Sequence, residues 1–344
     1  MKNKEGLRAP QELERSMAFT LSQILTGGSK GGVYAPLGAG GSGGRAAPPI
    51  TLLDGGMGQE LLRRGGDRPS PLWATRVMID HPGLVQDIHA DYFAAGASAA
   101  TTNTYAIHHD RLVNNAMDHR FAQLHDAALA EAEAARVASG GGLLLGSTGP
   151  LGASYRSDLM PPHETGVALY AEIAAIHAPR VDVLVGETLA TLSNVAAFLD
   201  GCDRGAPGTS RWISVTVEDR DGTRLRSGET LADLAPLAAR ADGVLVNCSA
   251  PEAIDQAMPL LASFGKPFGG QGNGFTQITS DFLKPNPTAD VLVNRPEMTP
   301  ERYAEFALGW AARGATLIGG CCETGPAHIA VLAERLRAAG FVIV

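Results

Sequence analysis

"TLIGGCCE", residues Thr316 to Glu323, is an apolar run of strand length held between two segments of helical period. The segment before it, "TPERYAEFALGWAARG" (Thr299 to Gly314), offers Thr299 as N-cap, Pro300 at the first helical position and a glycine stop. The segment after it, "PAHIAVLAERLRAAG", again opens on proline and closes on glycine. Helix, buried strand, helix is one step of a parallel sheet. Read back toward the N-terminus, the same step recurs. Strands are predicted at "ITLLDGG" (Ile50 to Gly56), "SAATTNTY" (Ser98 to Tyr105), "GLLLGSTGP" (Gly142 to Pro150), "DVLVGET" (Asp182 to Thr188), "WISVTVE" (Trp212 to Glu218), "GVLVNCS" (Gly243 to Ser249) and "KPFGGQGN" (Lys266 to Asn273). Helical segments such as "PGLVQDIHADYFAAG" (Pro82 to Gly96) separate them. Eight such units in residues 49 to 344 fit an α/β fold, a single-domain (β/α)8 TIM barrel, whose usual size is about 250 residues plus insertions. A doubly wound open sheet is the second choice.

A barrel places catalytic groups where strands end and the following loops begin. Here Asp54 closes the first run, Asn103 and Tyr105 the second, Thr148 the third, Glu187 the fourth, Cys248 the sixth, and Cys321 with Cys322 the eighth. Packing alone explains these poorly, because barrel interiors favour branched apolar side chains.

Composition narrows the function. A hydrophobic share of 44% can fill a core of this size, and a net charge of -8 without a lysine and arginine run argues against nucleic acid and anionic membrane as partners. No apolar stretch is long enough to span a bilayer, and "MAFTLSQIL" is too short and too polar for a signal segment, so the cytoplasm is expected. Residues 1 to 48, with "TGGSKGG" and "GAGGSGG", are read as a flexible N-terminal extension. Gly38, Gly40 and Gly43 satisfy a dinucleotide-loop pattern there, but Pro36 and "RAAPPI" deny it the strand and helix it requires.

Four cysteines do not make a disulfide framework. Three of them stand at the ends of the sixth and eighth strands, where they could converge on one ion; Cys202, expected in a loop after a helix, is not assigned to it. Adjacent residues of an extended strand point to opposite faces, so Cys321 and Cys322 need a bend, for which Gly319, Gly320 and Gly325 would supply conformational freedom. Three protein ligands with an open fourth position are the catalytic pattern for zinc. Alternatives stand beside it: Cys248 as a packed core thiol, or a strained vicinal disulfide between Cys321 and Cys322. Three thiolates on Zn2+ leave a net charge of -1, which suits activation of a fourth thiol better than hydrolysis of water. The histidine pair His108 and His109 in "AIHHDRL" lacks a third nearby ligand, and is read as the start of the loop or helix after the second strand.

Asp54 and Glu187 could hold an α-amino group, and the glycines of "DGGMGQELL" let backbone amides approach a carboxylate. Together they describe a pocket for an amino acid bearing a thiol. A helix cap for Asp54 and a rim ion pair for Glu187 are the plain alternatives.

The motifs "DGGMGQEL", "HADYFAAGA" leading to "TTNTYAIHHDRL", "GETL", "VNCS" and "IGGCC" resemble the zinc-dependent homocysteine S-methyltransferase family, in its single-domain, cobalamin-independent form. The resemblance covers essentially all of residues 50 to 340. It implies that Cys248, Cys321 and Cys322 bind Zn2+, that homocysteine sulfur takes the fourth place, and that Asp54 and Glu187 hold the substrate's amino group. It places main-chain amides near Gly55 and Gly56 close to the carboxylate, and Asn103, Thr148 and Asn247 among the substrate-binding residues. The methyl group would come from a small onium donor, S-methylmethionine or S-adenosylmethionine before betaine, giving methionine. Trp73 and Tyr105 are the candidate donor contacts, since an aromatic face holds an onium cation by about 0.5 to 2 kcal/mol; for Trp73 a hydrophobic plug is the alternative. Glu323, where many members carry glycine, and the seventh run "GGQGNGF" depart from the family pattern on the donor side. A metal-dependent hydrolase or lyase barrel is the competing class. The sequence leaves open whether the protein is a monomer or a homo-oligomer.

Overall fold

Each of the eight apolar runs forms a strand. The computed structural model describes residues 48–66, 72–275, 278 and 295–344, so the predicted extension and its glycine pattern lie, save for residue 48, outside the described residues. The strands are β1 (Thr51–Leu52), β2 (Ala99–Thr101), β3 (Leu143–Thr148), β4 (Val183–Leu189), β5 (Ser210–Val215), β6 (Gly243–Ser249), β7 (Phe268–Gly272) and β8 (Leu317–Gly320). After β1 come α1 (Met57–Gly65), α2 (Trp73–Asp80) and α3 (Leu84–Ala94); after β2, α4 (His109–Val113) and α5 (Phe121–Ala138). One helix follows each later strand: α6 (His163–His177), α7 (Leu192–Gly205), the short α8 (Ala235–Ala238), α9 (Pro251–Ser263), α10 (Pro300–Ala312) and α11 (Pro326–Ala338). Thr299 caps α10 as its sequence predicts, accepting from the Arg302 amide at 3.3 Å. Cys202, expected in a loop, instead lies inside α7 with its side chain packed in the core, because the helical period continues three residues past it.

The sheet order is β1-β8-β7-β6-β5-β4-β3-β2, with every neighbouring pair parallel, so the strands form a nearly closed barrel and not an open doubly wound sheet. No ladder joins β1 to β2 among the described residues. Their seam is closed by single contacts: the Ser98 amide donates to Leu52 O at 2.7 Å, and the Thr101 amide and hydroxyl donate to the Asp54 carboxylate at 2.7 and 2.8 Å. A side chain therefore stands in for main-chain acceptors where two short strands part. The C-terminus returns to the opposite end of β1, where Ile50 pairs with Ile343.

Inside the barrel, Leu53, Leu145, Val185, Trp212, Leu245 and Leu317 pack into one buried cluster, while the outward faces of the strands bury against the helices. Burying about six such side chains at roughly 1.5 to 3 kcal/mol each makes this plug a main stabilising element beneath the mouth. Above it the strands end in polar residues. There β4 and β6 lose register, between Gly186 and Leu189 and between Asn247 and Ser249, at Thr188 (φ 56°) and Cys248 (φ 47°). Such bulges re-aim side chains at a barrel rim. No helix of the described residues is long and apolar enough to cross a membrane.

Candidate active site

The bulge in β6 and the turn after β8 bring three thiols together. Sγ of Cys248 lies 2.8 Å from Sγ of Cys321 and 4.0 Å from Sγ of Cys322, and the last two are 4.0 Å apart. All are free thiols, so the doublet is not a vicinal disulfide. The neighbours face one point because the chain leaves the strand at Gly320 and turns, held by Thr324 Oγ1 donating to Cys321 O at 2.6 Å and by Gly274 N donating to Cys322 O at 2.9 Å. The glycines act differently from the sequence expectation. None of Gly319, Gly320 and Gly325 has a positive φ; the left-handed residue in the turn is Glu323, at φ 62°. The glycines provide room instead: a Cβ on Gly320 would sit 2.0 Å from Thr324 Oγ1, and one on Gly319 2.5 Å from Leu53 Cβ.

A tetrahedral ion with metal–sulfur bonds of about 2.3 Å separates its sulfurs by about 3.8 Å. Two of the three separations already fit, and the third must open by about an ångström. No fourth ligand joins the cluster, which is the one group of its kind among the described residues. Hydrogen bonds from Cys321 and Cys322 hold the Cys248 thiol well below its ordinary pKa, while both partners are pushed up. One thiolate at the centre of the trio is therefore already favoured.

A cavity of about 240 Å³ opens over the thiols, and both predicted carboxylates line it. Burial lifts Asp54 to about 7 against the hydrogen bonds from Thr101, and lifts Glu187 to about 8 against the Ser147 hydroxyl, with Cys248 and Asp54 adding repulsion. Oε1 of Glu187 is buried without a hydrogen-bond partner. Behind Asp54, at 4.0 Å, stands His89, fully buried, lowered to about 4 and hence neutral. Two buried carboxylates that repel each other, one with an unsatisfied oxygen, are arranged to receive a cation.

The remaining predicted residues divide. Gly55, Gly56, Asn103 and Tyr105 line the cavity with the first turn of α1, whose amides have no intrahelical acceptors. The Gly56 amide, however, already donates to Thr324 O at 2.8 Å. Thr148 and Asn247 are buried outside the lining; at the third strand the lining residue is Ser147. Asn247 fixes the wall: its Oδ1 accepts from the Thr188 amide (2.9 Å) and the Ser214 hydroxyl (2.8 Å), and its Nδ2 donates to Thr188 Oγ1 (3.0 Å). Trp73 opens α2, and its side chain lies outside the described residues. His109 begins α4, stacked 3.9 Å from Phe121 and bonded to Asp118 and Glu172, away from any metal cluster.

Sequence reasoning missed Tyr155, Arg111 and Gln271, all of which line the cavity. Tyr155, in the loop after β3 at φ 63°, has Arg226 over its ring at 5.3 Å and packs with Cys322 against Phe275. Its signal was its place after a strand end, obscured because the strand's own last residue drew the assignment. Arg111 stood two residues past a more conspicuous histidine pair.

Comparison with known proteins gives a consistent result. Residues 51–336 match the model of the family described as homocysteine S-methyltransferase. The chain is 30% identical to homocysteine S-methyltransferase of Escherichia coli strain K12 over 83% of its own length and 95% of the relative's. It is 28% identical to homocysteine S-methyltransferase YbgG of Bacillus subtilis strain 168, covering 84% and 95%. Among solved structures it is similar to the metallated form of the homocysteine methyltransferase MmuM from Escherichia coli, with TM-score 0.69 and 29% identity over 83% of this chain and 96% of that one. With this coverage, and with three thiols and two cation-seeking carboxylates around one cavity, the chain belongs to the homocysteine S-methyltransferase family, enzymes of methyl transfer to homocysteine.

Proposed function

We propose that the protein moves a methyl group from a small onium donor, a sulfonium such as S-methylmethionine or S-adenosylmethionine before betaine, to the thiolate of homocysteine, releasing methionine. Cys248, Cys321 and Cys322 would hold Zn2+, and the substrate sulfur would complete the set. The observation that carries this is the meeting of three thiols with the unsatisfied carboxylate of Glu187 in one cavity. Zn2+ held by these three thiolates would lower the pKa of an incoming thiol, so that it loses its proton to solvent near neutral pH and keeps an electron-rich sulfur.

The chain's own groups do the rest. Asp54 and Glu187 take the α-ammonium, whose charge offsets their repulsion and draws both into the ionised state. Since the Gly56 amide is engaged, the α-carboxylate is assigned to the first turn of α1, where the amides and the helix dipole favour an anion. Asn247 acts through Thr188 by holding the β4 wall beside Glu187. Transfer is then an in-line displacement: the new sulfur–carbon bond forms as the donor's carbon–onium bond breaks, and the electron pair leaves with the donor. A hydrolase is less well supported, because no histidine joins the thiols among the described residues.

Residues 1–48 are read as an extension to a barrel of residues 49–344. Free thiols suit a reducing compartment, so the cytoplasm is the proposed location. The test is metal analysis of the purified protein and of Cys→Ser variants at the three positions, followed by homocysteine with each onium donor and methionine as the readout. About one zinc per chain, lost in each variant, and methionine from at least one donor are expected. Zinc retained in all three variants refutes the metal assignment, and no methionine from any donor with zinc bound refutes the reaction.

A further inference from the structure

The cavity is electrically lopsided. Its thiols, Asp54 and Glu187 are anionic or potentially so, whereas Arg111 is the one lysine or arginine in its lining among the described residues. Arg111 sits on α4, just past the mouth of β2, and its Nη2 donates to Pro150 O at 2.9 Å, which holds the guanidinium in place. Its Nε is buried without a hydrogen-bond partner. The contrast is Arg226 nearby, which is tied to both oxygens of Asp219 at 2.8 and 2.5 Å. A half-buried guanidinium whose buried Nε–H is idle is poised for an anion from outside the chain.

Tyr105 links this end of the cavity to the other. Its ring centroid is 5.4 Å from the Arg111 guanidinium, and it also feels the Cys248 thiol electrostatically. Asn114 and Asn115, the next lining residues, spend their side-chain NH2 groups on the main-chain oxygens of Asp110 and Arg111, both at 2.9 Å. Their side-chain oxygens remain available as acceptors at this end of the cavity. Homocysteine, with its ammonium on Asp54 and Glu187 and its sulfur at the thiols, leaves this end unused.

We propose that Arg111 binds the carboxylate of the methyl donor, so that the donors are onium compounds carrying a carboxylate on a short arm, with amino-acid sulfonium compounds favoured by the adjoining asparagine oxygens. This inference rests on the methyl-transfer reading above. It makes Arg111 a specificity-determining residue, with the donor's anionic tail at the guanidinium.

The test compares S-methylmethionine with (3-aminopropyl)dimethylsulfonium, which keeps the reacting centre and the ammonium and lacks only the carboxylate, in the zinc-loaded wild type, Arg111→Met and Arg111→Lys. In the wild type, kcat/KM favours the carboxylated donor by about 10- to 100-fold, the usual worth of a charge-assisted pair. In Arg111→Met that preference falls to within about threefold, with zinc content and the KM for homocysteine unchanged, and Arg111→Lys lies between. A preference that survives in both variants overturns the inference, as does a rise in the homocysteine KM with the donor preference intact. Failure of the wild type with every donor instead overturns the methyl-transfer reading itself.

Discussion

Replacing Glu187 by glutamine should make the ligand-free protein more stable at alkaline pH while weakening its hold on homocysteine. Burial lifts this carboxyl from 4.5 to about 8 in the folded state. A raised carboxyl binds more protons when folded than when unfolded, so its contribution is fully present below the unfolded value and is lost as pH rises through the folded one. Between about 4.5 and 8 the wild type therefore loses stability on this account, and each pH step in that window costs up to about 1.4 kcal/mol. The whole loss is of order 3 to 5 kcal/mol for a group this deeply buried. Glutamine keeps the shape, cannot ionise, and removes the loss. His89 and the other buried groups titrate in both proteins, so the difference between the two reports Glu187 together with its repulsion of Asp54. Urea midpoints of metal-free, reduced wild type and Glu187→Gln would be measured at pH 5.5, 7 and 8.5. The variant should gain on the wild type at each step upward, and its homocysteine KM should rise about 10- to 100-fold with the lost charge-assisted bond. A stability difference that does not change with pH, or a variant that falls behind as pH rises, would refute the burial of an uncompensated carboxylate.

Two further substitutions probe the walls. Asn247→Ala strips partners from the Thr188 amide and the Ser214 hydroxyl, both buried, and should destabilise the protein by roughly 2 to 5 kcal/mol, read from urea midpoints; a loss below about 1 kcal/mol would mean that water replaces the amide. Gly320→Ala puts a methyl group against Thr324 Oγ1 and must displace the turn carrying Cys321, so zinc per chain should fall well below one while the circular dichroism of the barrel is retained; full metal content would show that the turn yields without cost.

The barrel was legible because its signal is local. Continuous apolar runs of strand length alternating with segments of helical period are properties of neighbouring residues, and all eight runs became strands in the predicted sequence order. Strand ends were less so. "ITLLDGG" yields a ladder of only two residues, since Asp54 leaves the strand to accept from Thr101, whose position beside it depends on how the barrel closes.

The cysteine trio was visible as residue types at strand ends, together with a family resemblance carried by short motifs. Which of two successive side chains faces the cavity was not, because side chains alternate across a strand and only register decides the face. Ser147 lines the site where Thr148 was expected, and Asn247 turns into the wall while Cys248 turns toward the thiols at a bulge. The sequence alone thus determined the fold class, the strand count and the chemistry available at the mouth. Only the tertiary structure decided the elevated carboxyls, the neutral His89 and the idle Nε of Arg111, since each depends on burial and on partners brought from distant parts of the chain.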